Sequence, residues 1–410
     1  MYNSIKGDRL SEVRQIKKVP VVLAAGIFFA VHLLISITGV NNFIHETLLN
    51  EKRKVNIIIN ITLKQFLLKL NIMENQATKY TAALIVAAVL FIIWGVLGVM
   101  DSKNFTYSGF ITDGDNTIIK VEDNSPASVA GFQVGDVIKK NGGISVTDTK
   151  ALTSRGRAKI GEVREFVVER AGDELTLQLT FAAMNSKDRA LNIVAFIIGL
   201  FFIVLGVYAH NKIKTLLSLS FAVFALCFGF NFMFGLYASD ELLRKIINGF
   251  GNTVVLFSIA ALAGFMLKYP PQSNFLNKKG SHLWLYIPAA ALIIFIWILI
   301  FVQPESTSSL NQFMRILFGV FIVGYFGLAL ITLIIKYAKS NTEERKSRGL
   351  NLLLWGAIIG LVPILIIFII QTVSPKTILP GNDYIFITFI AIPIFFTMAL
   401  IKQDKVTPVE

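Results

Sequence analysis

Nine stretches of this chain run for about twenty residues with scarcely a charged side chain, roughly 20–40, 80–100, 190–209, 215–238, 250–267, 283–302, 314–335, 350–371 and 383–401. An α-helix rises 1.5 Å per residue, so about 20 apolar residues cross the ~30 Å hydrocarbon core of a bilayer. The composition agrees: 54% of the 410 residues are hydrophobic and 16% are charged. Together these predict a polytopic α-helical membrane protein with about nine transmembrane helices. A net charge of +13 would point to nucleic acid in a soluble protein. Here Lys and Arg gather in short loops between spans, the positive-inside pattern, so the expected partner is the lipid bilayer and not nucleic acid.

The loops alternate in basic content. His210, Lys212 and Lys214 form one basic group, and Lys268, Lys278 and Lys279 a second. Lys336, Lys339, Arg345, Lys346 and Arg348 form a third, and Lys402 with Lys405 a fourth. The intervening loops near Ser239–Asn248, Gln303–Gln312 and Ser374–Asp383 carry fewer basic residues and include Asp240, Glu241, Glu305 and Asp383. This alternation puts the C-terminus in the cytoplasm and the polar segment near 101–189 outside the cell membrane. Residues 1–72 fit that frame less simply, because Lys6, Arg9, Arg14, Lys17 and Lys18 precede a span that would begin outside. The segment 55–72 reads as an amphipathic helix on the membrane surface. MENQATKY from Met73, followed by a clean apolar run, would itself serve as a chain start, so 1–72 are read as an appended module of no assigned function.

Between about 101 and 189 the chain turns polar, and its centre reads NSPASVAGFQVGDVIKKNGGISV from Asn124. After Ser125, Pro126 and Ala127 suit the start of a short helix, and Gly131 suits its left-handed end. Gly135-Asp136 makes a turn, and Val137-Ile138 begins a buried strand. Thr117–Val121 and Glu165–Glu169 read as strands, with Ala171-Gly172-Asp173 turning into Glu174–Phe181. This pattern resembles the signature of a bacterial PDZ domain, which implies an inserted α+β domain, a half-open β-barrel, over 105–182. In that family a peptide end is held by the backbone amides of an aromatic-x-Gly-apolar loop, and Tyr107-Ser108-Gly109-Phe110, continued by Ile111, matches it. Consecutive N–H groups can cradle a carboxylate, and an adjacent edge strand can pair with an added peptide. A helix near Asp148–Arg157 would form the opposite wall. The competing reading is a groove filled by the protein's own chain, with Tyr107 and Phe110 serving only to pack.

One span, then this insert, then seven spans resembles the membrane half of competence-type quorum-sensing histidine kinases. The passages that carry the likeness are Trp284-Leu285-Tyr286-Ile287-Pro288, Gly360-Leu361-Val362-Pro363, the basic entry KSNTEERKSRGLNLLLWGAIIG from Lys339, and AIPIFFTMALIKQDKV from Ala391. The resemblance implies a transmembrane helix and tether over 73–104, the PDZ domain over 105–182, a seven-helix sensory domain over 183–405 and a tail over 406–410. The tethers Asp101–Phe105 and Ala182–Asp188 are short, so a ligand that shifts the insert would bias the packing of the flanking spans.

The departures from that family bear on chemistry. No phosphoacceptor-histidine helix or Gly-rich nucleotide segment is evident, and His32, His45, His210 and His282 are placed unsuitably for one, so kinase activity is not expected of this chain. A zinc protease needs a second His one turn after His45-Glu46-Thr47-Leu48-Leu49, and the spans lack Gly-x-Ser-x-Gly, so no protease is expected. Transport sites favour intramembrane charge, whereas Asn231, Asn252 and Gln371 read as interhelical hydrogen bonds. The single cysteine, Cys227, rules out a disulfide framework and reads as packing; no metal or cofactor is expected. The expected function is a bacterial membrane sensor. It would bind a peptide or protein C-terminus outside and relay it to a cytoplasmic signalling partner, with a homodimer compatible with this scheme. The alternative is a membrane adaptor that captures peptides for proteolysis or quality control.

Overall fold

The computed structural model describes residues 76–270, 284–306, 308–374 and 382–406. The candidate span at 20–40, the surface helix expected over 55–72, Lys278, Lys279 and the histidines His32, His45 and His282 lie outside the described residues. The chain divides into two compact units, 1–89 with 277–281, and 90–276 with 282–410. Helix α1 (Gln76–Asp101) begins in the first unit and ends in the second. All that follows concerns the second.

After α1 the chain enters a small β-rich insert. Its strands are β1 (Thr106–Tyr107), β2 (Phe110–Thr112), β3 (Ile118–Val121), β4 (Val137–Asn141), β5 (Ile144–Ser145), β6 (Val163–Arg170), β7 (Asp173–Thr180) and β8 (Ala182–Ala183). Two short helices, α2 (Pro126–Val129) and α3 (Thr149–Arg155), interrupt them. The main sheet runs β5-β4-β6-β7, while β2 pairs antiparallel with β3 and β1 with β8. A single bridge, Thr117 to Val137, links the β2–β3 hairpin to that sheet. Strand alternation sends Phe166 and Val168 inward, where they meet Ile118, Ala127, Phe132, Ile138 and Leu179 in one apolar core. Phe110 stacks on Phe132 at 5.4 Å and meets Phe166 edge-on at 6.0 Å, so one face of β2 is committed to that core.

Beyond the insert the chain is almost entirely helical: α4 (Ser186–Ile213), α5 (Leu216–Phe230), α6 (Glu241–Lys268), α7 (Tyr286–Val302), α8 (Ser309–Lys339), α9 (Thr342–Ser347), α10 (Leu350–Gly360), α11 (Val362–Val373) and α12 (Ala391–Asp404). A 3-10 helix, Asn382–Ile390, leads into α12. Among the described residues, six segments are long and apolar enough to cross a membrane: α1, α4, α6, α8, the stretch from α10 into α11, and the 3-10 helix with α12. The chain is thus a multi-pass membrane protein. Two further apolar helices, α5 and α7, are shorter, at 15 and 17 residues.

The expected nine spans are therefore not all found as long helices, and the differences have physical causes. The run 215–238 splits because α5 ends at Phe230 and the chain continues as a non-helical strap over 231–240. The side-chain amide of Asn231 donates to the Cys227 carbonyl at 3.2 Å and holds that last turn. The run 350–371 breaks between Gly360 and Val362 because Pro363 has no N–H to donate and its ring collides with the turn before it. Asn231 and Asn252 do not bridge helices as expected; each side-chain amide donates to the carbonyl four residues earlier, Asn231 back to the end of α5 and Asn252 within α6. Gln371's side chain lies outside the described set. Cys227 is buried in the bundle core.

The loops segregate to two ends. The 231–240 strap, the 303–306 segment and the start of the 3-10 helix meet the insert end: Ser306 N–H donates to the Thr147 carbonyl at 3.1 Å, and Lys187 pairs with Asp383 at 2.7 Å. The basic loops meet at the opposite end, where Lys336 reaches the carbonyls that close α6 and Tyr269 reaches Arg348.

Candidate functional site

The loop Tyr107-Ser108-Gly109-Phe110 lies between β1 and β2, and its backbone is fixed by the segment Glu122–Ala127. The Ser108 carbonyl accepts from the Ala127 N–H at 2.9 Å, and the Gly109 carbonyl accepts from the Glu122 N–H at 2.8 Å. In a trans peptide the carbonyl of one residue and the N–H of the next point in opposite directions. The amides of Gly109 and Phe110 are therefore both turned away from the Glu122–Ala127 segment. Two successive outward N–H groups are the backbone element of an anion cradle.

Gly109 has φ +88°, a conformation that strains any side chain, and an added Cβ would lie 2.1 Å from Cβ of Ser125. Glycine is thus required for a close approach as well as for the turn. Ser125 does two things at this point: its hydroxyl accepts from the Ser128 N–H at 3.2 Å to cap α2, and it donates to the Gly109 carbonyl at 3.4 Å. The Ser125-Pro126-Ala127 motif is hence the support beneath the loop, a coupling that residue spacing alone does not reveal.

Tyr107 turns its hydroxyl to the Glu122 carboxylate. Burial and then this bond push the phenol up to about 12, and the same bond, against opposing burial, holds Glu122 below the usual carboxylate range. The pair locks the entry to the loop. Register pairs Phe110 with Val121 and Ile111 with Lys120. With Phe110 turned inward, alternation leaves the Ile111 side chain on the outer face, 43% exposed. β3 is the only strand paired with β2 among the described residues, so the other edge of β2 is open.

The remaining motif residues have structural duties. Gly131, at φ +86°, follows the end of α2, and Gly135, at φ +98°, makes the turn into β4. Asp136, 1% exposed, accepts from the Gln133 N–H at 2.9 Å and from the Arg170 guanidinium at 2.7 and 2.8 Å. Burial alone would raise its carboxyl, but Arg170 and the Gln133 amide outweigh it and hold the carboxyl low. A helix does lie near Asp148–Arg157: α3, N-capped by Asp148, whose carboxylate accepts from the Ala151 N–H at 2.9 Å.

A second set of residues, absent from the sequence reading, docks the insert onto the bundle. Arg157 stacks over the rings of Phe105 at 4.9 Å and Tyr237 at 5.8 Å. The Tyr237 hydroxyl donates to the Ala158 carbonyl at 3.3 Å. Arg244, buried at the start of α6, donates to the Thr153 carbonyl at 2.5 Å and to its own strap at Ala238 and Ser239. Arg315 donates to the Gly114 carbonyl at 3.4 Å. The one available signal was that Arg244 is a basic residue in a poorly basic loop and Arg315 a charge at the start of an apolar run.

At the opposite end, three residues of the third basic group are engaged within the protein. Lys336 donates to the carbonyls of Met266, Leu267 and Tyr269 at 2.8, 2.7 and 2.5 Å, closing the C-terminus of α6. Arg345 lies 4.3 Å over the Tyr337 ring, and Arg348 pairs with Glu344 at 3.5 Å. Lys339, Lys346 and Lys405 are exposed. Among the described residues no group of three His, Cys, Asp or Glu side chains is arranged to hold a metal. No protein-family model matches the chain, and no curated protein matches it.

Proposed function

We propose that the insert is a PDZ-type domain that binds the free C-terminus of a peptide or protein, and that the chain is a membrane sensor built around it. The observation that carries this reading is the pair of outward amides at Gly109 and Phe110, next to the open edge of β2. A peptide carboxylate would sit against those N–H groups, and its preceding residues would extend the β2–β3 pair by one strand. Ile111 and α3 would line the groove.

The test uses the full chain in lipid nanodiscs and a peptide library screened as free acids and as C-terminal amides. Charge-assisted hydrogen bonds contribute about 1.5–3 kcal/mol each, so the free acids should bind at least tenfold tighter. Gly109→Ala should abolish that preference. Equal affinity of the two forms would reduce the loop to packing.

The insert faces outside and the basic end faces the cytoplasm, a reading supported by the segregation of basic loops to the end far from the insert. Reporter fusions at Gly142 and Lys405 should then report opposite compartments. The signal would leave through Lys339, Lys346 and Lys405, since Lys336, Arg345 and Arg348 are already engaged. Crosslinking from Lys346 in native membranes should capture a protein whose yield changes with peptide; contacts to lipid alone would leave these residues as anchors against anionic headgroups.

A further inference from the structure

Beneath the strap that joins α5 to α6 lies a cavity of about 310 Å³, separate from the peptide loop. Among the residues that form its walls are Asn192 and Ala195 of α4, Asn231, Phe232 and Phe234 at the strap, and Phe386 of the 3-10 helix. The size lies at the small end of ligand sites, which run from about 300 to 1,000 Å³.

Its chemistry is mixed in a specific way. The amide nitrogen of Asn192 donates to the Met184 sulfur at 3.3 Å, and that of Asn231 donates to the Cys227 carbonyl at 3.2 Å. Each nitrogen keeps a second hydrogen, so each carboxamide offers an occupant one oxygen acceptor and one N–H donor. No ionisable side chain is among those that line the space. An ion would lose its hydration without a countercharge there, and a pure hydrocarbon would offer the two carboxamides no hydrogen-bonding partner. Asn192 lies within the first two turns of α4, the depth at which the polar head and the chain of an amphiphile meet.

The strap is also held by the end of α1 and the start of the insert. Phe234 packs edge-on against Phe105 at 5.0 Å, and the Tyr237 N–H donates to the Asp101 carboxylate at 2.6 Å. An occupant of the cavity would press on the same strap that holds the insert in place.

We propose that this cavity is a binding site for a small uncharged amphiphile carrying a hydroxyl or amide N–H donor. The proposal is independent of the peptide reading, because neither Gly109 nor β2 takes part.

The experiment uses the full chain in phosphatidylcholine nanodiscs with two photoactivatable probes, a diazirine-bearing octanol added from water and a diazirine-bearing monoacylglycerol placed in the bilayer. Adducts mapped by mass spectrometry should fall on 191–195 and 231–235. Excess 1-octanol should displace them, whereas octanoate at pH 8 and n-octane at equal concentration should not. Labelling by the octanol alone assigns an aqueous source, labelling by the monoacylglycerol alone assigns a membrane source, and either supports the site. Ala195→Phe should cut labelling at least tenfold. Should that variant not fold, Asn192→Leu with Asn231→Leu decides the matter, because octane should then compete as well as octanol. Adducts confined to lipid-facing positions such as Ile294 and Ile316, or equal displacement by octane in the unmodified protein, would overturn the proposal.

Discussion

The two ends of the helical bundle are held by different kinds of contact. At the insert end, side chains from the bundle reach across to backbone carbonyls of a separate β-rich body: Arg244 to Thr153, Tyr237 to Ala158 and Arg315 to Gly114. At the basic end the ties are internal to the bundle. Tyr269, 1% exposed, donates to the Arg348 and Ala399 carbonyls, and Lys336 closes α6 with three bonds. Breaking a few polar contacts with a body that keeps its own core leaves both partners folded, whereas breaking ties between helices costs the bundle itself. The insert end is thus the place where movement is cheap, and the basic end is the fixed frame.

The comparison predicts its largest effect at Gly349. This residue has φ +67°, and an added Cβ would stand 2.9 Å from Cα and 3.0 Å from the carbonyl of Ala399. Gly349→Val must therefore push α12 away from the start of α10. We expect a loss of more than about 3 kcal/mol, seen as a collapse of monodisperse protein in detergent. A fully folded variant with an unchanged melting point would show that the basic end is not a rigid frame. Next in size is Lys336→Met, which keeps the length of the stem but leaves three carbonyls at the end of α6 without their shared donor. The expected cost is about 2–3 kcal/mol, measured as a lower thermal midpoint of the full chain, with exchange protection lost at 266–269 first.

A smaller effect tests whether the insert can fail alone. Asp136 has a folded-state carboxyl below its ordinary value, so its contribution is fully present above about pH 4 and is lost as pH falls through the lowered folded value. Acidification below pH 4 should loosen β4 and β6 before the bundle responds. Asp136→Asn should bring the same loosening at neutral pH, by about 2 kcal/mol. Hydrogen exchange of 163–170, compared with 256–266, reads both. Simultaneous loss in the two regions would mean that insert and bundle unfold as one unit.

How much of this was legible in the sequence also differs between the regions. The local elements of the insert were, because glycine, proline and capping residues act over a few positions: Pro126 opens α2, Gly131 and Gly135 take left-handed conformations, and Asp148 caps α3. The apolar runs announced membrane helices but not where each stops. Hydropathy treats Phe232, Phe234 and Tyr237 as more span, although these rings pack on α4 and on Phe105 in a non-helical strap. Nor could spacing separate Lys336, turned inward to cap a neighbouring helix, from Lys339, three residues on and exposed. The docking contacts were invisible for a simpler reason: Arg244 and Thr153 are 91 positions apart, and a carbonyl acceptor leaves no mark on residue type.

The smallest expected effect is at that docking contact, and it is the sharpest test of the comparison. Arg244 is 8% exposed and holds both the strap carbonyls and the last turn of α3, so Arg244→Met removes the link while keeping much of the apolar stem. Other ties remain, among them Arg157 over Phe105 and Tyr237 and the Ser306 to Thr147 bond, so docking should weaken without being lost. We expect exchange at 153–160 to rise about tenfold, equivalent to roughly 1.4 kcal/mol. The melting midpoint of the bundle should stay within a degree or two. Adding Tyr237→Leu should deepen the local change by a similar factor and still spare the bundle. If the midpoint fell in step with the exchange rate, the insert would be an integral part of the bundle's stability, and a ligand-driven shift of the insert would have no separate fixed frame to act against.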